Sequence, residues 1–256
     1  FAVFRISLIN FISGTSFVKA LTENRFSIPS FIFIILLSNN VASYIIYNKQ
    51  DKGAIQMIGD MQSWTPNVAG IIEHAMKVHP KTEIISRLVS GEIHRSNYEE
   101  VCIRSRKLAS VLAKDGYKEG DVLATLALNT YRHLEMYYGI SGMGAITHTL
   151  NFRLHPEQAV YIINHAEDKI IFVESPFVPI LEAIQDQIPT VEKFIVLCEE
   201  NELPETSLKN AISYEEYIKD GDENYTWPTL KDDAACGLCY TSGTTGNPKG
   251  VLYSHK

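Results

Sequence analysis

The sequence has few cysteines, no excess of basic residues and only short apolar runs in its N-terminal region. Four cysteines in 256 residues are too few for a disulfide-stapled scaffold, so a reducing compartment is expected. The formal net charge of -7 argues against a dedicated nucleic-acid binder, which normally presents a basic face to phosphates. The apolar run 31–37 is much shorter than the roughly 20 residues that a membrane-spanning helix needs.

The composition is otherwise that of an ordinary globular protein. It is 45% hydrophobic and 21% charged, with a mean hydropathy of -0.04, which excludes a disordered, collagen-like or multi-span membrane chain. At roughly 100–200 residues per domain, the length fits one large domain or two small ones. We expect a cytoplasmic protein, with association with an organelle or a membrane left open.

The first 56 residues differ in composition from the rest. Residues 1–49 carry four Lys or Arg against a single acid, Glu23. All five methionines follow position 56 and the chain begins with Phe1, which predicts a fragment or a translation that starts upstream of the true start. Three interpretations of 1–56 stay open: a non-native extension, a targeting or anchoring segment, or a folded extension. Membrane association is expected only through this region.

From about Met57 onward, helix and strand patterns alternate. Residues 96–99, Ser-Asn-Tyr-Glu, have the pattern of a capping box in which the serine oxygen accepts a backbone N–H, and Asp115-Gly116 supplies a stop for the helix that follows. The later predicted elements are a strand over 121–129, helices over 131–144 and 156–165, a strand over 169–174, a helix over 179–187 and a strand over 193–198. This alternation predicts an α/β fold with mostly parallel sheet flanked by helices.

The acidic stretch 199–233 is predicted to be a surface excursion with one short helix around 214–218. Its run Glu199-Glu200, with Glu202, is interpreted as a solvated surface.

The segment from Tyr240 to Val251, Tyr-Thr-Ser-Gly-Thr-Thr-Gly-Asn-Pro-Lys-Gly-Val, carries most of the chemical information. Its glycines allow backbone angles that place successive N–H groups on one concave side, its hydroxyls add donors, and Lys249 adds a positive charge. This combination suits a polyphosphate. The phosphate loop of P-loop nucleotidases would require Ser or Thr after the lysine, at the head of a helix. Gly250 and a β-prone run follow Lys249 instead, so the segment is predicted to join two strands.

The run 241–250 resembles the signature of the adenylate-forming, AMP-binding enzymes, which include acyl-CoA synthetases, peptide-synthetase adenylation domains and luciferases. The segment 139–151, Gly-Ile-Ser-Gly-Met-Gly-Ala-Ile-Thr-His-Thr-Leu-Asn, is similar to a second segment of that superfamily. Together with Arg153-Leu154 and 161–168, it most resembles the medium- and long-chain fatty acyl-CoA synthetases. Phe152 departs from the proline expected there. The resemblance covers about 62–255 and implies that 57–256 is the N-terminal part of the large adenylate-forming domain.

The resemblance implies a two-step ligase reaction. A fatty-acid carboxylate attacks the α-phosphate of ATP to give acyl-adenylate and pyrophosphate, and the thiol of coenzyme A then displaces AMP. Such chemistry depends mainly on positioning and charge neutralisation. The residues that the match assigns to phosphate binding are Thr241, Ser242, Gly243, Thr244, Thr245, Gly246 and Lys249. Thr241 would also help to hold Mg²⁺, a hard ion that prefers oxygen ligands.

The same resemblance places the remaining active-site residues beyond Lys256, so no catalytic residue is assigned. Residues 57–256 alone are expected to lack acyl-CoA synthetase activity, whereas the full-length parent would have it. The alternatives are a nucleotide hydrolase and an inert partial nucleotide-binding module. Self-association as a homodimer is left open, and no nucleic-acid partner is expected.

The cysteine pair and the histidines are the other candidates for chemistry. Cys236 and Cys239 have the spacing of a zinc or redox pair, but no second pair exists, and strand residues three apart point to opposite faces. Surface or packing roles are predicted for four histidines, His74, His79, His148 and His155. The role of His255, which is near the expected site, is left open.

Three tyrosines, Tyr131, Tyr137 and Tyr138, fall at helical spacing. We interpret them as core or groove-wall residues and not as a stacking platform.

Overall fold

The computed structural model describes residues 32–37, 41–46, 65–241 and 247–256. The chain divides between Ser63 and Trp64 into two units. In the first unit, β1 (Ile32–Leu37) and β2 (Val41–Ile46) pair antiparallel. This hairpin does not distinguish among the three interpretations of 1–56, which all stay predictions, and the rest of 1–56 lies outside the described residues. Among the described residues, no helix combines the length and the apolar character that a bilayer crossing requires.

In the second unit, the described residues form a seven-stranded sheet of order β11-β10-β6-β5-β7-β8-β9. Its strands are β5 (Val122–Leu126), β6 (Ile146–Thr149), β7 (Ile170–Val173), β8 (Lys193–Val196), β9 (Ala211–Ser213), β10 (Ala235–Thr241) and β11 (Lys249–Ser254). All neighbouring pairs are parallel except β10 and β11, which are antiparallel. The predicted α/β class with mostly parallel sheet is confirmed.

Helices cover both faces of this sheet. They are α1 (Ala69–Val78), α2 (Tyr98–Lys114), α3 (Tyr131–Gly142), α4 (Pro156–Ala166), α5 (Val178–Glu182) and α6 (Tyr214–Ile218). Successive strand residues point to opposite faces, and β7 shows the result: Phe172 packs with α2, α3 and α6 on one face, whereas Ile171 packs with α4 and α5 on the other. Burial on both faces explains why this strand is apolar throughout.

The capping box of α2 begins one residue later than predicted. Asn97 is the N-cap: its side-chain oxygen accepts the Glu100 N–H at 3.0 Å, and its amide donates to the Glu100 carboxylate at 2.6 Å. Ser96 does not cap the helix: it lies one residue before the N-cap, in β4 (Ile93–Asn97) opposite Ile84 of β3 (Glu83–Arg87), and its hydroxyl has no hydrogen-bond partner among the described residues. The predicted stop is confirmed, with Asp115 as C-cap and Gly116 at a φ of 93°.

The stretch 199–233 is more than the surface excursion predicted. The helix over 214–218 is present as α6, but it is preceded by the edge strand β9, and its Tyr214 is fully buried in the core. Short apolar strand and helix segments inside acidic surroundings give little periodic signal, which explains the error. The predicted helix over 179–187 is also divided, into α5 and a 3₁₀ turn over Gln185–Gln187.

The edge strand β11 is exposed along its whole length. Three of its side chains, Val251, Leu252 and Tyr253, are 41%, 60% and 55% exposed. Among the described residues, only its β10 side is paired.

Gly221 is expected to tolerate no side chain, because it lies against the backbone of α2. A Cβ atom at Gly221 would be 2.5 Å from the carbonyl oxygen and 2.6 Å from the Cα of Lys107. We therefore expect Gly221→Ala to lower the free energy of unfolding by about 1–3 kcal/mol, measured by urea denaturation. Gly237→Ala is the control, since its Cβ would have no neighbour closer than 3.9 Å. Equal losses in the two variants would contradict the packing argument.

Candidate functional site

The carboxyl ends of the parallel strands meet at one edge of the sheet, where ligands gather in open α/β folds. β10 runs parallel to β6 and ends at Thr241, so the glycine-rich segment begins at this edge. β11 then starts at Lys249, and Thr241 lies opposite Lys249 in the antiparallel register. The segment therefore joins two strands, as the sequence predicts, and not a strand and a helix.

The structure describes two of the seven residues predicted to bind phosphate. Thr241 and Lys249 are both exposed at the end of the β10–β11 pair. The Thr241 hydroxyl lies 3.5 Å from the Lys249 carbonyl oxygen, at the long limit for a hydrogen bond, so this contact does little to occupy it. The other five, in 242–246, lie outside the described residues, and the phosphate-binding role of all seven stays a prediction.

Tyr240, the residue before Thr241, is held by contacts on three sides. Its hydroxyl forms a 2.6 Å hydrogen bond with Nδ1 of His165 on α4. Its ring lies 5.2 Å from the ring of His148 on β6, centroid to centroid. On β11 its register partner is Gly250, where a Cβ would come within 3.1 Å of the Tyr240 ring. The tyrosine thus connects β10 to two neighbouring strands and a helix.

A buried histidine–carboxylate pair lies next to Tyr240. Nδ1 of His148 is 2.9 and 2.8 Å from the two carboxylate oxygens of Asp168, and both side chains are completely buried. Burial raises the pKa of Asp168 to about 6, opposed by the hydrogen bond and charge of His148. Nε2 of His148 has no hydrogen-bond partner among the described residues. The sequence predicts a surface or packing role for His148 and does not reveal Asp168, which is 20 residues away and shares no motif with it.

The remaining histidines occupy both surface and buried positions. His74, His79 and His155 are exposed, in agreement with their predicted surface roles. Nδ1 of His255 accepts the N–H of Val68 at 3.2 Å, which connects the end of β11 to the start of α1. Burial lowers the pKa of His255. His255, whose role the sequence leaves open, therefore has a structural role in joining the end of β11 to the start of α1.

The three tyrosines of α3 occupy different environments. Tyr131 is buried and stacks on His94 with ring centroids 3.8 Å apart. Tyr138 is partly buried against the packing cluster of α1 and α2, whereas Tyr137 is 42% exposed. Packing therefore accounts for Tyr131 and Tyr138, and Tyr137 lies at the surface.

The two cysteines of β10 contact different neighbouring strands. Sγ of Cys236 donates to the Ser254 carbonyl on β11 at 3.2 Å, and Sγ of Cys239 lies 3.3 Å from the Thr149 hydroxyl on β6. Within the described ranges, no group of three or more His, Cys, Asp or Glu side chains could hold a metal ion.

A partly buried charged network joins α2, α3 and α6, and no sequence pattern indicates it. Arg104 donates to Glu135 at 2.7 Å and to both carboxylate oxygens of Glu215 at 2.9 Å. The Tyr214 hydroxyl also donates to Glu135, at 3.0 Å. Glu135 is fully buried, and this burial raises its pKa to about 7 despite the bond from Arg104.

The network extends to the carboxyl end of β8 through Arg132. This arginine donates to Glu215 at 2.9 Å and to Glu199. Glu199, interpreted from the sequence as a solvated surface residue, is 53% exposed at its side chain but paired with Arg132.

The sequence profile described as AMP-binding enzyme matches residues 72–256. The chain belongs to this AMP-binding enzyme family. The resemblance carried by 241–250 and 139–151 is therefore confirmed.

Two curated relatives in this family are fatty-acid–CoA ligases. The medium-chain-fatty-acid–CoA ligase of Ectopseudomonas oleovorans is 46% identical over 200 residues, which are 78% of this chain and 37% of the relative. The long-chain-fatty-acid–CoA ligase of Thermus thermophilus is 43% identical over 190 residues, 74% of this chain and 34% of the relative. The chain thus spans little more than a third of the length of these relatives.

Solved structures agree with the AMP-binding fold. The anthranilate CoA ligase AuaEII superposes with a TM-score of 0.67 at 23% identity, over 77% of this chain and 36% of that one. The long-chain-fatty-acid–CoA ligase FadD1 of Archaeoglobus fulgidus superposes with a TM-score of 0.63 at 21% identity, over 77% and 39%. At these identities the likeness shows the fold alone.

The raised pKa of Glu135 predicts a pH signature for this AMP-binding chain. The ordinary pKa is 4.5 and the folded value is about 7, so between them the folded state binds more protons and the free energy of unfolding falls as pH rises. Glu135→Gln removes the titration. We expect the stability of the wild type relative to the variant to fall by on the order of 3 kcal/mol between these pH values and to level off above them.

Urea unfolding across this pH range measures the difference. Glu216→Gln, at an exposed position on α6, is the control and should leave the slope unchanged. A relative stability that rises over the same interval would show that the Glu135 carboxylate is stabilised on folding.

Proposed function

We propose that the intact protein activates a fatty acid with ATP, forming first an acyl-adenylate and then an acyl-CoA. The observation that carries this proposal is the 43–46% identity to medium- and long-chain fatty-acid–CoA ligases over 74–78% of the chain, together with the family match over 72–256, which includes the glycine-rich segment. Because this chain spans little more than a third of those relatives, the activity, substrates and partners are proposed for the whole protein.

The described ends of the segment fit a phosphate-binding role. Thr241 supplies a hydroxyl and Lys249 supplies an ammonium group, on opposite strands at the carboxyl edge of the sheet. Pyrophosphate is the leaving group of the first step, and a fixed cation stabilises the negative charge that accumulates on it. We assign this neutralisation to Lys249 and phosphate hydrogen bonds to the hydroxyls and amides of 241–246.

Mg²⁺ and coenzyme A belong to the proposal in different ways. The exposed Thr241 hydroxyl is a hard oxygen donor and fits Mg²⁺, which supplies charge neutralisation across neighbouring phosphates when bound. One hydroxyl holds such an ion only together with phosphate oxygens and water. Coenzyme A is proposed as the second-step substrate, and no residue of the chain is assigned to it.

Nucleotide hydrolysis is not favoured. A P-loop needs a helix after its lysine, with Ser or Thr next in sequence, whereas Gly250 follows Lys249 and both belong to β11. The other alternative, an inert partial nucleotide-binding module, applies only to this chain when it is separated from the rest of the protein.

The first test is the dependence of the reaction on Lys249 and Thr241. In the intact protein, we expect Lys249→Ala to lower kcat/KM for ATP by about 10²-fold, because a preorganised group that stabilises the leaving group is lost. Thr241→Ala should lower it less. Fatty-acid-dependent release of pyrophosphate is the measurement.

The matched control is Lys209→Ala, which removes an exposed lysine paired with Asp186. It should leave the kinetics unchanged. Equal activity in the Lys249→Ala variant and the wild type would refute the assignment.

The second test separates the ligase from the alternatives. With ATP and a fatty acid, the intact protein should form acyl-adenylate and pyrophosphate, and adding coenzyme A should then yield acyl-CoA and AMP. Without a fatty acid, no pyrophosphate should be released. Residues 57–256 alone should form neither acyl-adenylate nor acyl-CoA. ADP and phosphate released without any acid would indicate a hydrolase, and thioester formation by 57–256 would overturn the prediction that this part is inactive.

A further inference from the structure

We propose that His148 is a positioning residue for phosphate binding, which acts through Tyr240 and is itself held by Asp168. This inference rests on the proposed function, because it concerns the strand ends that carry Thr241 and Lys249. It assigns a role to a buried polar pair that packing alone leaves unexplained.

His148 and Tyr240 share one face of the sheet. In the parallel ladder between β6 and β10, Leu238 lies opposite His148. Tyr240 is two residues further along β10, and residues two apart on a strand point to the same face. The two rings are therefore diagonal neighbours, with a centroid distance of 5.2 Å and an interplanar angle of 46°.

Asp168 fixes the orientation of the His148 ring. Its carboxylate binds one ring nitrogen through two contacts of 2.9 and 2.8 Å, while the other nitrogen has no partner among the described residues. Burying two polar groups is costly unless they are paired, so the hydrogen bonds to Asp168 strongly restrict the ring. The imidazole then presents a rigid surface to Tyr240.

The contacts of Tyr240 couple the position of its ring to the positions of the two strand ends. Its hydroxyl is bound by His165, and its ring lies against Gly250. Thr241 follows it directly in β10, and Lys249 precedes Gly250 in β11. A shift of the ring would move both strand ends together. Hydrogen bonds weaken steeply when their length and angle depart from the favoured range, so displaced strand ends would bind the phosphates of ATP less tightly.

The experiment compares ATP use with fatty-acid use in the intact protein. We expect His148→Gln to raise KM for ATP about tenfold, with kcat and KM for the fatty acid changed less than twofold. If that variant does not fold, Asp168→Asn replaces it, because it retains the shape of the side chain and removes the charge. The same rise in KM for ATP is expected.

A matched control separates positioning from stability. His133→Gln alters another largely buried histidine, which contacts the Thr125 hydroxyl and the Leu128 carbonyl. It should lower Tm by a comparable amount but leave KM for ATP unchanged. A loss of Tm without a rise in KM for ATP in His148→Gln would overturn the proposal.

A double variant tests the route through Tyr240. If His148 acts through the ring, His148→Gln combined with Tyr240→Leu should raise KM for ATP no further than Tyr240→Leu alone. Multiplicative effects would show an independent role and overturn the inference. Tyr240→Phe, which keeps the ring, should have the smallest effect of these variants.

Failure of the proposed function is recognised separately. A wild-type protein that, with any fatty acid, forms neither pyrophosphate from ATP nor acyl-CoA after coenzyme A is added refutes the ligase proposal. The positioning inference is then decided by Kd values for ATP, measured by calorimetry on the same variants. A tenfold weaker Kd in His148→Gln supports it, and an unchanged Kd overturns it.

Discussion

The parallel pairing of β10 with β6 is the constraint on which the site depends. It joins 237–239 to 147–149, about ninety residues apart in the sequence, through one short backbone ladder. Without this pairing the glycine-rich segment would still have its hydroxyls and its lysine, but no fixed place. The ladder brings the start of the segment to the carboxyl edge of the sheet, where ligands of open α/β folds bind.

Local patterns predicted most of the second unit. Continuous apolar runs identified β5, β7 and β8, because a strand buried on both faces cannot alternate polar and apolar residues. The segments missed were α1, the β3–β4 hairpin, β6 and β9. The hairpin has exposed apolar side chains, including Ile85 at 56% and Ile93 at 49%, so its pattern does not report which face is buried. β9 has three residues, too few for any period to be recognised.

In the site, too, only the features carried by contiguous residues could be predicted from the sequence. The glycines, hydroxyls and lysine of the segment are contiguous, so their chemistry and the strand–strand connection could be inferred from residues alone. The surroundings of Tyr240 could not. His148, His165 and Asp168 come from different elements, and only the tertiary fold brings His148 and His165 against the tyrosine and Asp168 against His148. The Arg104–Glu135–Glu215 network was missed for the same reason, because Glu135 and Glu215 are 31 and 111 residues away from Arg104 in the sequence.

The edge strand β11 is a site at which the sheet can pair with other molecules. Among the described residues, one backbone row of β11 is unpaired, and Val251, Leu252 and Tyr253 are exposed, so the strand is a template for recruiting a foreign strand. While that row is uncovered, the exposed edge, more than the strength of the core, would set how much protein is lost to aggregates and how strongly folding depends on chaperones.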